Sequence, residues 1–422
     1  VAIVLVVAIV APMVENKGGG TPSATAPGAA QGDGATTVVD GSTLMITEAM
    51  SSNGGALCSA DGGYYDWVEL YNPTDQPISL QGYGLTDKLD KPNRFVFDKM
   101  VLEPKSYLIV FCSGLTGDDV PEGELHAPFK LSASGDNLYL CDTYGNEMQK
   151  VALPALGSDI AYGLDAATNQ WRNYERYTPG YSNDDAGWEA FQQSIRVEGS
   201  TLLLNEIMTS NNVTLKDGDG QYNDWVEIVN NGTEAVDLSG YGLSDTVNSP
   251  KRWSFPEGTK IEPGAMLVVF CSKKNTTDEA GYLHTNFGLN SAEETVLLAD
   301  KQGRILDEVE VKGLEADSSY ARDGSGSWSV QTKPTPGFAN NDDGYNAFQS
   351  SRVQANETGI FITEVMLNNV DTLADEFEQY GSWIEITNRS SQAVNLAGYG
   401  LTDNTKHLGE WRFPDITLQA GG

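Results

Sequence analysis

DWVELYN (Asp66–Asn72), DWVEIVN (Asp224–Asn230) and SWIEITN (Ser382–Asn388) are three versions of one string. Their tryptophans, Trp67, Trp225 and Trp383, are evenly spaced along the chain. The alternation predicts a β-strand. Val68 and Leu70 face one side, Trp67, Glu69 and Tyr71 the other, and an Asn-containing turn closes it. A strand that returns at fixed spacing marks a module repeated in tandem.

The neighbouring strings repeat too. LMITEAM (Leu44–Met50), LLLNEIM (Leu202–Met208) and IFITEVM (Ile360–Met366) come before the Trp strand. ISLQGYGLTD (Ile78–Asp87), VDLSGYGLSD (Val236–Asp245) and VNLAGYGLTD (Val394–Asp403) follow it, with Tyr83, Tyr241 and Tyr399 at matching places. LEPKSYLIVFCS (Leu102–Ser113) then matches IEPGAMLVVFCS (Ile261–Ser272). Short strands separated by frequent turn signals predict an all-β chain of two-sheet antiparallel sandwiches. Each full module closes on TPGYSND (Thr178–Asp184) or TPGFANN (Thr335–Asn341). A short helix is expected after each closure, over Asp185–Val197 and Asp343–Val353, with Asp residues as N-caps. Trp188, Phe191 and Ile195 fall on one face of the first. Such a helix, docked on an adjacent sandwich, would make the array semi-rigid.

Val1–Val14 (VAIVLVVAIVAPMV) is almost wholly apolar and reads as the remainder of a signal peptide or as a signal-anchor. Pro12 directly after Ala11 makes cleavage there awkward and favours the anchor. Residues 15–42 are rich in Gly, Ala, Thr and Pro and read as a flexible tether. The expected division is then a first sandwich over 43–183, a linker helix over 184–199 and a second sandwich over 200–341. A second linker helix over 342–357 and a truncated third sandwich over 358–422 complete it. That third copy reaches LQAGG (Leu418–Gly422), just before the place of the YLIVF-type strand.

The 422 residues carry a formal net charge of −33, which would repel a phosphate backbone, so no nucleic-acid partner is expected. The four cysteines, 58, 112, 141 and 271, do not repeat as a set. They read as small buried hydrophobes, with a Cys112–Cys141 bridge as the alternative.

Taken together, the strings ending in EAM, DWVELYN, LQGYGLTD, RFVF and YLIVFCS resemble the lamin tail domain, over about residues 44–182, 202–340 and 360–422. The resemblance implies immunoglobulin-like sandwiches of a family known from nuclear lamins and from bacterial surface and secreted proteins. The PGYSND ending with its aromatic helix looks like the bacterial members, which often stand beside a spore-coat-H-type kinase-like domain or other extracellular enzyme domains.

Two groups of residues invite a functional reading. Glu48, Glu206 and Glu364 lie in phase with apolar positions such as Leu44, Ile46 and Met50. A carboxylate on such a stripe needs a partner, so a structural hydrogen bond is the preferred reading over catalysis, and no local spacing supplies a second acid. Trp67, Trp225, Trp383, Tyr83, Tyr241 and Tyr399 are likewise read as structural. The acidic loops before the Trp strand are the expected working surface. Asp217, Asp219 and Asp224, among flexible glycines, are a candidate calcium site, weighed against a plain solvated turn. His126 and His284 match, but no HExxH, P-loop or GxSxG string accompanies them. The expectation is a non-enzymatic, membrane-anchored protein facing outward, or secreted, that displays or adheres through protein or cell-wall glycan partners. It needs no cofactor beyond calcium. The alternative is an accessory region of a larger surface enzyme.

Overall fold

The computed structural model describes residues 38–352, 358–404 and 411–422; Val1–Val14 and residues 15–37 lie outside them. In the first module the chain forms β1 (Met45–Met50), β2 (Asp66–Tyr71), β3 (Ile78–Ser79), β4 (Gly84–Thr86), β5 (Phe95–Val96) and β6 (Val101–Leu102). It continues with β7 (Tyr107–Cys112), β8 (Asp136–Cys141), β9 (Glu147–Leu153), β10 (Ala161–Leu164) and β11 (Trp171–Tyr174). One sheet has the order β11-β10-β1-β2-β7, the other β5-β4-β8-β9, and β3 pairs with β6. Ile46, Val68, Leu70, Val110, Leu138 and Leu140 interlock between the two sheets. The chain is therefore built from all-β sandwiches, as the alternation predicts.

β2 shows both of its expected faces. Val68 and Leu70 enter the inter-sheet core. Trp67, fully buried, points the other way into a second apolar cluster with Met50, Phe111, Tyr174, Tyr177 and Phe191. In β1, however, the alternation breaks. Ile46 pairs with Leu70, Glu48 with Glu69 and Met50 with Trp67, with the register shift between Ile46 and Glu48. This bulge at Thr47 turns Glu48 away from Ile46 and onto the Trp67 face, so the in-phase stripe of Leu44, Ile46, Glu48 and Met50 is split between two faces.

Two side-chain devices set the turns. Asn72 is fully buried. Its Nδ2 donates to the carbonyls of Gln76, Leu102 and Glu103 at 2.9–3.0 Å, and its Oδ1 accepts from the Thr74 amide at 2.9 Å. Asn230 and Asn388 repeat the clamp. The first glycine of each GYG string, Gly82, Gly240 and Gly398, has φ of 85°, 75° and 90°, a left-handed conformation that side chains resist.

The closing helix α1 spans Asp185–Ser194, three residues shorter than expected. Its N-cap is Asp184, one residue earlier than Asp185, and its carboxylate accepts from the Gly187 amide at 2.7 Å. α1 lies on its own module's sheet, over Trp67 and Tyr177, rather than on the adjacent sandwich. The chain leaving it makes the next contact. The Ile305 amide donates to the Ile195 carbonyl at 2.7 Å, and the Val197 amide donates to Ile305 at 2.8 Å. Arg196 and Glu308 form an ion pair at 2.6 Å across the same joint.

The second module repeats the plan. A seven-stranded sheet contains Leu202–Met208, Trp225–Asn230 and Met266–Phe270 at its centre, and faces a four-stranded sheet. Its helix α2, Asp342–Ser351, is capped by Asn341. In the third module the described strands form three two-stranded pairs, including Ile360–Met366 with Trp383–Asn388. There Ile362, Val365 and Ile384, whose counterparts sit among the second module's buried residues, are exposed. Among the described residues no helix is long and apolar enough to cross a membrane.

Trp67 Nε1 is buried without a hydrogen-bond partner. Trp67→Ala should therefore cost about 3–5 kcal/mol through the cavity it leaves. Trp67→Phe, which sacrifices no hydrogen bond, should cost less than half as much. Urea unfolding followed by circular dichroism compares the two; equal losses would mean that the indole N–H matters after all.

Candidate functional site

Glu48 meets a second carboxylate, which local sequence spacing does not reveal. Glu48 and Glu69 are cross-strand partners and both are fully buried. The Thr178 amide donates to Glu48 at 3.1 Å. The Gly180 amide donates to Glu69 at 2.7 Å, and the Thr47 hydroxyl does so at the same distance. The pair thus grips the TPG string that begins the closure of the module. In the second module Glu206 accepts from Thr335 and Ser319, while Glu227 accepts from Gly337 and from Asn205. Glu364 and Glu385 are also cross-strand partners in the third module, but both are exposed.

Burial raises the acids of both complete pairs. Glu48 is pushed up by desolvation against the pull of Thr178. Glu69 is pushed up by desolvation and then by Glu48 itself. Desolvation lifts Glu206 to about 7, and desolvation with repulsion from Glu206 lifts Glu227 to about 8. Two adjacent buried carboxyls cannot both ionise cheaply, so each pair retains a proton near neutrality. Their oxygens accept from backbone amides, hydroxyls and, at Glu227, the Asn205 side-chain amide, so the arrangement is a structural clamp.

A second repeated cluster is a serine, a histidine and an acid in line. Ser113 Oγ lies 2.9 Å from His126 Nδ1, and His126 Nε2 lies 3.0 Å from Glu124. Ser272, His284 and Asp278 repeat it at 2.8 and 3.0 Å. Nucleophilic catalysis needs a serine that substrate can reach. Ser113 is only 3% exposed and its Oγ also accepts from the Leu115 amide. Ser272 is half-buried and its Oγ accepts from the Lys274 amide, and both imidazoles stack on phenylalanine rings, Phe111 and Phe270. The row latches the end of the Cys-Ser strand to the following segment. The sequence hid it because the acid stands two residues before the histidine in one module and six before in the other.

Of the candidate calcium ligands, Asp217 and Asp219 meet on a lysine, and Asp224 does not join them. Lys274 Nζ donates to Asp217 at 2.7 Å and to Asp219 at 2.6 Å, offsetting one of their two negative charges. Burial opposes the charge on Asp217, but bonds from Lys274, Gln221 and Asn223 outweigh it and hold its carboxyl below the usual range. Asp224 instead accepts from the Asn211 amide at 3.0 Å. Among the described residues no group of three or more His, Cys, Asp or Glu is placed to hold a metal ion. The loop itself is fixed from within: Asn211 Nδ2 donates to the carbonyls of Leu215 and Asn223, both at 2.7 Å, as Asn53 and Asn369 do in their modules.

The other structural residues follow their strands. Trp225 is fully buried and Tyr83 nearly so, whereas Tyr241, Trp383 and Tyr399 are half-buried. All four cysteines are free thiols, so Cys112 and Cys141, on different sheets, are not bridged.

A cleft of about 650 Å³ lies at the joint of the first two modules. Strand β7, the loops Leu57–Ala60 and Glu122–Leu125, and Gln302 and Arg304 of the second module line it. The joint is held beneath it by Tyr177, whose hydroxyl lies 3.0 Å from the carbonyls of Ala56 and Asn248, and by Lys251, which donates to the Lys301 carbonyl and covers the Tyr64 ring.

Packed antiparallel sheets with the same buried clamps, used in tandem, define an immunoglobulin-like repeat protein. The model of the Lamin Tail Domain matches residues 38–154, 198–313 and 353–422, and the chain belongs to that family. The family is one of non-enzymatic immunoglobulin-like domains. Among curated proteins, no sequence matches the chain.

The raised glutamates set a pH dependence. An acid whose folded value exceeds its unfolded one contributes stability that is full below the unfolded value and is lost as pH rises through the folded one. For Glu206 and Glu227 that window runs from 4.5 to about 7 and about 8. The melting temperature of the second module should therefore fall between pH 5 and pH 8.5, and Glu227→Gln should flatten the fall; scanning calorimetry across that range reads both. Calcium titration of the wild-type chain should leave the melting temperature unchanged, because Lys274 already joins Asp217 and Asp219. A rise would show that the cation displaces it.

Proposed function

We propose that the chain displays and spaces binding surfaces outside a membrane, as a scaffold and not as a catalyst. The observation that carries this reading is the joint between the first two modules. An ion pair, main-chain hydrogen bonds and a shared tyrosine hydroxyl join the sandwiches, as a spacer requires. The paired glutamates and the serine–histidine rows are spent internally, which leaves loop ends and sheet edges as the contacting surfaces. The apolar stretch Val1–Val14, the Gly- and Ala-rich segment after it and the −33 charge support an anchored, outward-facing position, with protein or glycan partners.

Two measurements test the reading. In intact cells the chain should fractionate with membranes and be cut by protease added outside; recovery in the cytosol would sink the outward placement. In solution, Arg196→Ala combined with Tyr177→Phe should broaden the distribution of intermodule distances read by spin labels on the two modules. An unchanged distribution would mean that the joint is held elsewhere.

A further inference from the structure

The joint cleft has one wall made of unpaired strand edge. β7 is the last strand of its sheet, pairing with β2 through Asp66↔Cys112 to Tyr71↔Tyr107. At Phe111 the outer edge of β7 is already used: the Phe111 amide donates to Leu125 at 2.8 Å and its carbonyl accepts from Ala127 at 2.7 Å. Backbone groups alternate in direction along a strand, so Tyr107 and Ile109 point their N–H and C=O the same way as Phe111. Among the described residues those groups have no backbone or side-chain partner. They open into the cleft, where Leu57, Ile109, Phe111 and Leu125 supply apolar surface.

Charge on the outer wall selects among occupants. The segment Leu115–Glu124 carries Asp118, Asp119, Glu122 and Glu124 and no basic residue. Glu124 is committed to His126, Ser59 and the Ala60 amide, but Glu122 is exposed on the rim. The far wall belongs to the second module, so the cleft exists only while the joint is intact; Arg304 on that wall is paired with Asp300 at 2.7 Å. Its volume lies within the range of about 300–1,000 Å³ usual for ligand sites.

We propose that this cleft binds an extended, basic segment of a partner protein, which adds to β7 as a short strand beside Tyr107 and Ile109. The main-chain groups of these two residues supply the hydrogen bonds. Apolar side chains on one face of the segment fill the cleft, and its lysines or arginines meet Glu122 and the acidic loop. This is strand addition at a sheet edge, with pockets for alternate side chains giving the selectivity. It extends the display reading but does not depend on where the chain is displayed.

The probe is a twelve-residue peptide of alternating valine and lysine, with an analogue of identical charge that is N-methylated at two adjacent central residues. Titration calorimetry with the whole chain should show the parent binding at least tenfold more tightly than the analogue. Hydrogen exchange should slow at the Tyr107 and Ile109 amides when the parent is added. Glu122→Lys should weaken binding several-fold, while Glu257→Lys, the same charge change at a remote exposed loop, should not. Equal binding of the two peptides, equal effects of the two charge reversals, or protection at another edge would overturn the proposal. So would self-association of the chain with protection of Tyr107 and Ile109 in the absence of peptide, because a second copy would then be the occupant.

Discussion

The closing segment of a complete module is held by two buried carboxyls meeting a short backbone turn. Glu48 and Glu69, or Glu206 and Glu227, accept the amides of Thr178 and Gly180, or Thr335 and Gly337. Removing charges from water is expensive, and here the cost is met by amides whose only role is to receive them and by a retained proton. The turn so fixed places Asp184 or Asn341 at the start of a helix. In the first module that helix covers Trp67 and ends where Ile195 and Val197 reach the next sandwich. The clamp therefore links interior chemistry to the spacing of modules.

Much of this could be read from the residues. Val68 and Leu70 against Trp67 follow from simple alternation, and the repeat, the sandwich class and the helix face with Phe191 follow from periodicity. What escaped reading depends on geometry that a linear string does not carry. The bulge at Thr47 reverses the facing of every residue before it, so Glu48 looked like a companion of Ile46 when it belongs with Glu69. Glu69 was in plain view in DWVELYN, yet only strand pairing brings it beside Glu48. The serine–histidine rows were hidden for a different reason, since their acids come from unequal loops. Lys274 reaches Asp217 from 57 positions away in the chain, and no reading of the loop alone would find it.

The third module repeats the local devices of the other two. Its Trp strand, Asn clamp and GYG turn form as in the others, while Glu364 and Glu385, again cross-strand partners, are exposed. Local hydrogen bonds fix these turns, whereas in the first two modules the buried glutamates are bound to the TPG string.

The indole N–H groups of Trp67 and Trp225, sealed away from water and acceptors alike, have an optical consequence. An excited indole lowers its energy mainly through dipoles that reorient around it, and the aliphatic and aromatic walls of these sites offer few. Both residues should emit at the short-wavelength end of the tryptophan range while their modules stay closed. Each shifts to the red when its own module opens, so the strand that organises the fold also carries a built-in reporter of its integrity.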